Sequence, residues 1–295
     1  MRPCHTPRVP KRRLILACCS ALAIAVTVTL LLWPHEPSYQ GRPLSYWVRL
    51  LSIRSRFQPG RDEAETALRL AGTNAVPFLV KWVKGEEGPI SRAVGTFLWN
   101  VNKPWYYSYA SDSRTAGAAE ALRLLGPEAK GAIPELTRLM NDWSHDSLAQ
   151  RAATILPYLG PEALPSLAAT LTNKYPIRCI VLERIPLMGT EASPLVPQLV
   201  QLLSDTNTFL ATGVAVTLGK LRLEPTLVMP SLTNCLQSPK PFLRMAAAEA
   251  LLNFANPPDA ARTTLLTLVS DSDPVVRIAA TNAVRRTGIS VSSPR

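Results

Sequence analysis

The chain has 295 residues, of which 47% are apolar and only 18% are charged. This composition excludes a wholly disordered protein, because there is enough apolar material to bury a core. The net charge of +11 includes five basic and no acidic residues before residue 34, so the rest of the chain carries a surplus of only six. A surplus this small and spread out does not by itself indicate a nucleic-acid-binding protein.

The first predicted element is a membrane anchor. Residues 14–33 form an uncharged, apolar run of twenty, and at about 1.5 Å of rise per residue a helix of this length spans about 30 Å, the thickness of a bilayer core. Trp33 is placed as an interfacial aromatic, and Pro34 ends the helix. Three consecutive basic residues precede the run, so residues 1–13 are expected in the cytoplasm. The sequence therefore predicts a single-pass membrane protein with an extracytoplasmic main domain.

Other interpretations of this run are open. A cleaved signal peptide needs a shorter apolar stretch followed by small residues, which residues 30–34 do not offer. A lipoprotein signal ending at Cys18 has only four apolar residues between the basic cluster and that cysteine. A buried helix of a soluble domain is the third alternative. The length of the run favours the anchor over all three.

After a polar linker at 34–43, one phrase recurs five times: a small or apolar residue, a bulky apolar residue, proline, any residue, and an apolar residue. Its prolines are Pro77, Pro134, Pro165, Pro197 and Pro230, and the last four are 31, 32 and 33 positions apart. Self-similarity at this period predicts a stacked array of helical hairpins over 44–288, followed by a flexible tail at 289–295.

Each repeat predicts two helices. The first carries the proline in its first turn, where the missing N–H costs nothing. The second is rich in alanine and ends at a Leu-Gly pair or its equivalent, such as Leu218-Gly219. A second register confirms the period, because Arg178, Arg244 and Arg277 fall at multiples of 33. In the last repeat Asp273 is the predicted cap of the second helix.

At these residues the chain resembles the HEAT-repeat family. The pattern of that family is matched by Asp273, Val276, Arg277, Ala280 and their neighbours, and its first-helix proline by the five prolines above. The resemblance implies an all-α, right-handed α-α superhelix of about six to seven hairpins that binds proteins. With its N-terminal anchor, the layout is similar to bacterial membrane-anchored HEAT-repeat proteins of no assigned activity.

One irregularity interrupts the period. Pro77 and Pro134 are 57 positions apart, which leaves an insertion with its core at about 102–113. It holds four aromatic residues within five positions: Trp105, Tyr106, Tyr107 and Tyr109. The cluster either packs on the side of the array or forms a projecting loop that binds a partner, since Trp and Tyr dominate interface hot spots.

The sequence holds no motif for catalysis, a cofactor or a metal. It contains no Gly-x-Ser-x-Gly, phosphate-binding loop, His-Glu-x-x-His or Cys-x-x-Cys. Some HEAT-like proteins are enzymes, including bilin lyases and alkyl-base DNA glycosylases, but no matching constellation can be carried over. Asp142, His145 and Asp146 are the one close grouping of titratable residues, and helix capping explains them better than catalysis. Cys179 and Cys235 are expected to fill the core.

We therefore expect a non-catalytic scaffold that binds a protein or peptide on the solenoid surface and has no cofactor. The second helices are expected to line the groove, and their candidate binding residues are Arg92, Arg151, Arg178, Arg244 and Arg277, besides the four aromatic residues. For each arginine the alternative is a hydrogen bond to a turn of its own or the next repeat. Two other functions stay open: a binder of anionic polymers or lipid head groups, and an enzyme whose site forms only on folding.

Overall fold

The structure is a computed structural model, and it describes residues 36–52, 60–85, 104–142, 144–172 and 177–287. Between 104 and 112 it describes the backbone alone. The chain divides into two compact units, Met1–Pro37 and Ser38–Arg295. The elements described below belong to the second unit.

Short strands and a series of helices follow one another along this unit. The strands are β1 (Ser38–Tyr39) and β2 (Arg42–Pro43), which pair antiparallel. The α-helices are α1 (Leu44–Leu51), α2 (Arg61–Ala71), α3 (Val76–Val83), α4 (Pro104–Leu125), α5 (Ile133–Met140), α6 (Asp146–Ile155), α7 (Leu164–Leu171), α8 (Ile177–Arg184), α9 (Val196–Leu202), α10 (Thr208–Leu221), α11 (Pro225–Cys235), α12 (Pro241–Leu251), α13 (Asp259–Leu268) and α14 (Pro274–Thr287). Short 3₁₀ segments connect several of them, at Gly72–Ala75, Gly126–Ala132, Leu156–Tyr158, Pro161–Ala163 and Ile185–Leu195.

Consecutive helices pack as hairpins. After the α1–α2 pair, α3 packs on α4, and the same pairing continues through α5–α6, α7–α8, α9–α10, α11–α12 and α13–α14. The even-numbered members from α4 to α14, which we call the second helices, contact one another in order along the chain. Each hairpin thus packs mainly on its neighbours, which confirms the predicted α-solenoid. The two short strands, β1 and β2, are an exception to the predicted all-α fold.

Small residues let the second helices approach closely. Ala246, Ala247 and Ala250 of α12 are fully or almost fully buried. On α10, a Cβ added to Gly219 would lie 2.7 Å from the Cα of Ala250. Because both residues lie near the C-terminal ends of their helices, α10 and α12 run in the same direction. The hydroxyl of Thr217 donates to the carbonyl of Leu182 at 3.0 Å, which joins α10 to α8 in the same way.

The prolines behave as predicted in four of the five repeats. Pro77, Pro134, Pro165 and Pro197 lie in the first turn of α3, α5, α7 and α9. The prediction is wrong for Pro230, which lies inside α11. A second proline, Pro225, opens that helix five residues earlier. The carbonyl of Thr226 therefore has no helical N–H donor at position 230.

The glycines that follow second helices also divide into two groups. Gly126, Gly160 and Gly189 have φ values of 56°, 93° and 57°, the left-handed region expected where a helix ends. Gly219 was predicted to end its helix, but α10 continues through it to Leu221. Its function within the fold is instead close packing against α12, since any larger residue would overlap Ala250.

The turn inside four of the hairpins is closed by the same hydrogen bond. In each turn, a side-chain oxygen accepts a hydrogen bond from the backbone N–H of the residue two positions further on. The acceptor and donor residues are Asp142 and Ser144 at 3.0 Å, Asp205 and Asn207 at 2.7 Å, Ser238 and Lys240 at 3.2 Å, and Asp271 and Asp273 at 2.8 Å. Asx and Ser turns of this kind fix the chain reversal locally. The predicted cap is also present, because Asp273 accepts the N–H of Val275 at 2.9 Å.

The predicted localisation needs correction. Within the residues that the structure describes, no helix is long and apolar enough to cross a membrane. The hairpin helices of at most 14 residues reach only about 21 Å, and the longer α4 carries Asp112, Arg114, Glu120 and Arg123. This finding overturns the single-pass, extracytoplasmic arrangement. The residues assigned to the anchor, 14–33, and the tail, 289–295, lie outside the described ones.

The aromatic segment differs from the projecting loop that was one alternative. Pro104–Leu125 is one continuous helix, so Trp105, Tyr106, Tyr107 and Tyr109 lie on its first two turns. The helix was not predicted from the sequence because Pro104 was interpreted as a loop boundary. Proline is also favoured at the start of a helix. Arg92, a predicted binding residue, lies outside the described residues.

Candidate functional site

Among the predicted binding residues, Arg244 has a structural role. Its Nε and Nη2 donate to the two carboxylate oxygens of Asp271 at 3.0 and 2.7 Å, and its Nη1 donates to the carbonyl of Ser238 at 2.9 Å. The Arg244 hydrogen bonds are the largest cause that holds the pKa of Asp271 below its usual range. With its donors occupied in this way, Arg244 links two successive hairpins, which was the structural alternative to binding.

Three further predicted arginines also contact turns or helix ends. The Nη1 of Arg178 lies 3.8 Å from the Oδ2 of Asp205, the same connection in a looser form. Arg277 donates to the carbonyls of Asp271 and Ser272 at 2.8 and 3.0 Å. Arg151 donates to the carbonyl of Val83, at the end of α3, at 2.7 Å. The structure therefore distributes these arginines along the array instead of bringing them together at one site.

A repeated apolar feature was missed by sequence reasoning. Phe209, Phe242 and Val275 each occupy the second position of a second helix, in α10, α12 and α14. The side chains are exposed, with 81% of Phe209 and 56% of Phe242 accessible to solvent. Ile278, one turn after Val275, is exposed as well. We call Phe209, Phe242, Val275 and Ile278 the apolar row. Single exposed apolar residues are common, but a row on three neighbouring helices needs an explanation.

A cavity of about 440 Å³ adjoins the apolar row between α8 and α10. Phe209, Val216 and Lys220 contribute one wall, and Cys179 and Glu183 contribute the other. Its volume lies in the range that protein cavities use for ligands or anchoring side chains. Burial raises the pKa of the Cys179 thiol, so this cysteine is not an activated nucleophile.

Basic residues occupy the opposite ends of the same helices. Lys220 and Arg286 lie eleven positions after Phe209 and Val275, about three turns along the same helical face. Arg285 is adjacent to Arg286, and Arg222 donates to Asn253 at 3.4 Å on the intervening helix. We call Lys220, Arg222, Arg285 and Arg286 the basic row. All four are exposed, and within the described part of the chain none is paired with a carboxylate.

A second cavity lies at the basic row. It measures about 430 Å³ and is lined by Glu249 and Asn253 of the α12 end and by Asn282, Arg285 and Arg286 of α14. Glu249 is its single acidic residue, so the surroundings stay net positive. The exposed side of α10, α12 and α14 thus has an apolar edge at the helix N-termini, and the C-terminal ends of α10 and α14 are basic.

A further cavity, of about 820 Å³, lies near the start of the array between α1, α2, α4 and α6. Four of the six charged residues that line it are paired with one another. Arg61 donates to Glu65 at 3.1 Å and to Glu120 at 3.3 Å, and Arg123 donates to Glu120 at 3.4 Å. Such a chain of alternating charges crosses from α2 to α4 and has a structural role.

The titratable group that the sequence singled out forms a turn. Ser144 donates from Oγ to Asp142 at 2.5 Å and lies 2.8 Å from Nδ1 of His145. The Ser144 hydrogen bonds are the main reason why the pKa of Asp142 is lowered. Asp142 is half-buried and Ser144 and His145 are exposed, and all three lie in the turn before α6, which suits a turn better than a reaction site. Among the described residues, no group of three or more His, Cys, Asp or Glu could hold a metal ion.

Comparison with known proteins places the last repeats in a family. Residues 229–294 match the family model described as HEAT repeats, which supports the resemblance derived from Asp273 and its neighbours. The matched segment covers α12, α13 and α14 and most of α11. No curated protein matches the chain.

Several solved structures align with most of the chain at low identity. Human deoxyhypusine hydroxylase in complex with glycerol is 18% identical, with a TM-score of 0.36 over 83% of this chain and 96% of that one. An engineered protein is 19% identical, with a TM-score of 0.41 over 83% and 78%. The complex of CpcE and CpcF of phycocyanin lyase from Nostoc sp. PCC7120 is 16% identical, with a TM-score of 0.33 over 85% and 97%. These TM-scores are low, so no activity passes from them to this chain.

Proposed function

We propose that the chain is a non-catalytic scaffold that binds a protein partner on the exposed side of its last second helices, α10, α12 and α14. The observation that carries the proposal is the apolar row. Three exposed apolar side chains at the same helix position, on helices that pack side by side, form a surface that a folded protein gains nothing from exposing alone.

The contrast with the arginines supports this assignment. Arg244 and Arg277 donate hydrogen bonds to turns of the array, so replacing them would destabilise the fold. Phe209 has only 19% of its surface covered, since 81% is exposed. Its packing within the chain is therefore too slight to explain an aromatic residue there.

Site-specific cross-linking tests the proposal. A photoreactive phenylalanine analogue at Phe209 or Phe242, in cells that naturally make the protein, should give discrete adducts with another protein. The matched control is Leu70 of α2, which is 68% exposed and lies outside the apolar row. Adducts from all three positions alike, or from none, would contradict a binding surface at the apolar row.

The basic row favours one other candidate, a binder of anionic polymers. Its four exposed cations could contact phosphate or sulfate groups without any apolar contribution. Retention on heparin with a steep dependence on salt, unchanged after Phe209→Ser, would favour that candidate. Elution at low salt would remove it.

The four aromatic residues of α4 stay a proposal for a second contact. Trp105, Tyr106, Tyr107 and Tyr109 share two helical turns. Their joint replacement by Ser tests this contact, with loss of adduct formation and an unchanged thermal midpoint as the supporting result.

A further inference from the structure

The apolar row and the basic row together specify the chemistry of the partner. We propose that this surface binds an acidic amphipathic α-helix, laid across α10, α12 and α14 with its apolar residues on the apolar row and its carboxylates toward the basic row. This proposal rests on the proposed function and makes it specific.

The spacing of the helices fits the repeat of a partner helix. Neighbouring packed helices lie about 8–10 Å apart. In an α-helix, residues seven positions apart lie on the same face and are separated by about 10.5 Å. Apolar residues at i, i+7 and i+14 therefore meet the side chains of α10, α12 and α14 in turn.

The distance between the two rows fits the width of a partner helix. Phe209 and Lys220 are eleven residues apart on α10, which corresponds to about 16 Å. A helix with its side chains is about 10–12 Å wide, and extended lysine or arginine side chains bridge the remainder. The cavity between α8 and α10 lies beside Phe209 and accepts a bulky apolar residue at one end of the partner.

The positive charge of the basic row indicates that the partner is acidic. Lys220, Arg222, Arg285 and Arg286 are exposed. One acidic side chain, Glu249, lines the cavity beside Arg285 and Arg286, and one, Glu183, lines the cavity beside Lys220. Carboxylates facing this row would gain charge-assisted hydrogen bonds and faster association, whereas a basic partner would be repelled.

Designed peptides test the proposal directly. The probe is a fluorescein-labelled peptide of about 21 residues, with Leu at heptad positions a and d and Glu and Ala elsewhere. A second peptide has Lys in place of Glu, and a third has a central proline that prevents a continuous helix. Binding to the full chain is measured by fluorescence anisotropy at low and at moderate salt.

We expect the Glu peptide to bind, and to lose affinity about tenfold or more in the F209S/F242S variant and in the R285E/R286E variant. The L70S variant should bind as the wild type does, and circular dichroism should show unchanged helicity in all three. Affinity should also fall as salt rises, because the carboxylates face exposed cations.

Three results would overturn the proposal: equal or tighter binding of the Lys peptide, equal binding of the proline peptide, or unchanged affinity in both row variants. Heparin competition that persists in F209S/F242S would assign the surface to anionic polymers instead. If no peptide binds while cross-links at Phe209 still capture a protein, the acidic-helix proposal fails and the scaffold function stands. Absence of both would remove the two together.

Discussion

Arg244 and Asp271 lie 27 positions apart and join two successive hairpins through a two-pronged hydrogen bond of 3.0 and 2.7 Å. The guanidinium lies on the second helix α12, and the carboxylate lies in the turn between α13 and α14. That carboxylate also accepts the backbone N–H of Asp273 at 2.8 Å. One side chain therefore fixes both the shape of a turn and its distance from the preceding hairpin.

The first prediction concerns this pair. Arg244→Lys should destabilise the chain by about 1–2 kcal/mol, because an ammonium group cannot make the planar, two-pronged contact. A double-mutant cycle with Arg244→Gln and Asp271→Asn should give a coupling of about 1–3 kcal/mol in urea unfolding. The matched pair Arg178 and Asp205, at 3.8 Å, should couple clearly less. Equal coupling in both cycles would show that the geometry is unimportant.

The second prediction concerns acid stability. Hydrogen bonds from Arg138 and then Lys84, the latter at 2.5 Å, lower the pKa of Glu135 to about 2. Since the folded-state pKa is lower than the unfolded one of about 4.3, the ionised form stabilises the fold. That stability is complete above the unfolded pKa and is lost as the pH falls toward 2.

Thermal midpoints measured from pH 7 to pH 2.5 check this. Glu135→Gln should lower the midpoint at pH 7 and flatten its decline below pH 4.5. Lys84→Gln should have a smaller effect of the same kind, because Arg138 remains. A Glu135→Gln curve parallel to that of the wild type would argue against the contribution of this carboxylate.

The third prediction compares two glycines of α10. Gly219→Ala should destabilise by about 1–3 kcal/mol, because the new methyl group would lie 2.7 Å from the Cα and 2.8 Å from the Cβ of Ala250. Gly213→Ala is the control, with its nearest neighbour, the Cδ1 of Leu182, at an ordinary 3.7 Å. There the higher helix propensity of alanine should stabilise by about 0.5–1 kcal/mol. Chemical denaturation of both variants decides; the same sign for the two changes would refute the close packing.

The fourth prediction compares two prolines. Pro230→Ala should stabilise the chain by about 1–2 kcal/mol, since it restores an N–H to the interior of α11 and gives the carbonyl of Thr226 a donor. Pro197→Ala, in the first turn of α9, should instead cost about 0.4–1 kcal/mol through the greater freedom of the unfolded chain. Opposite shifts of the denaturation midpoint are the expected result, and a loss of stability in both would show that Pro230 is accommodated without cost.

The sequence predicted the array because its signals are local and repeated. A proline lies in the first turn of α3, α5, α7 and α9. An Asp or Ser closes the turn in four of the hairpins. The predictions for Pro230 and Gly219 were wrong because each residue type is compatible with two local structures. Proline starts or interrupts a helix, and glycine ends a helix or lets another one approach. Neighbouring residues determine which of the two applies: Pro225, which already opens α11, for Pro230, and Ala250 of the adjacent helix α12 for Gly219.

The candidate surface was harder to foresee. In the sequence Phe209 precedes Leu210 and Phe242 precedes Leu243, and all four are apolar residues at the start of a second helix. Only the structure shows that the leucines are buried and the phenylalanines exposed. One signal was available: Phe209, Phe242 and Val275 are 33 positions apart, the period of the repeat itself.

The locally closed turns have a consequence for the speed of folding. Beyond the insertion, contacts that join neighbouring hairpins, such as Thr137 to Ser166, Gln198 to Ala168 and Thr217 to Leu182, span 29, 30 and 35 positions. The loop that must close before each of these contacts forms is therefore of similar length, and its entropy does not grow with the number of hairpins. Relative contact order stays low as the array lengthens, so folding can begin at any hairpin and spread to its neighbours.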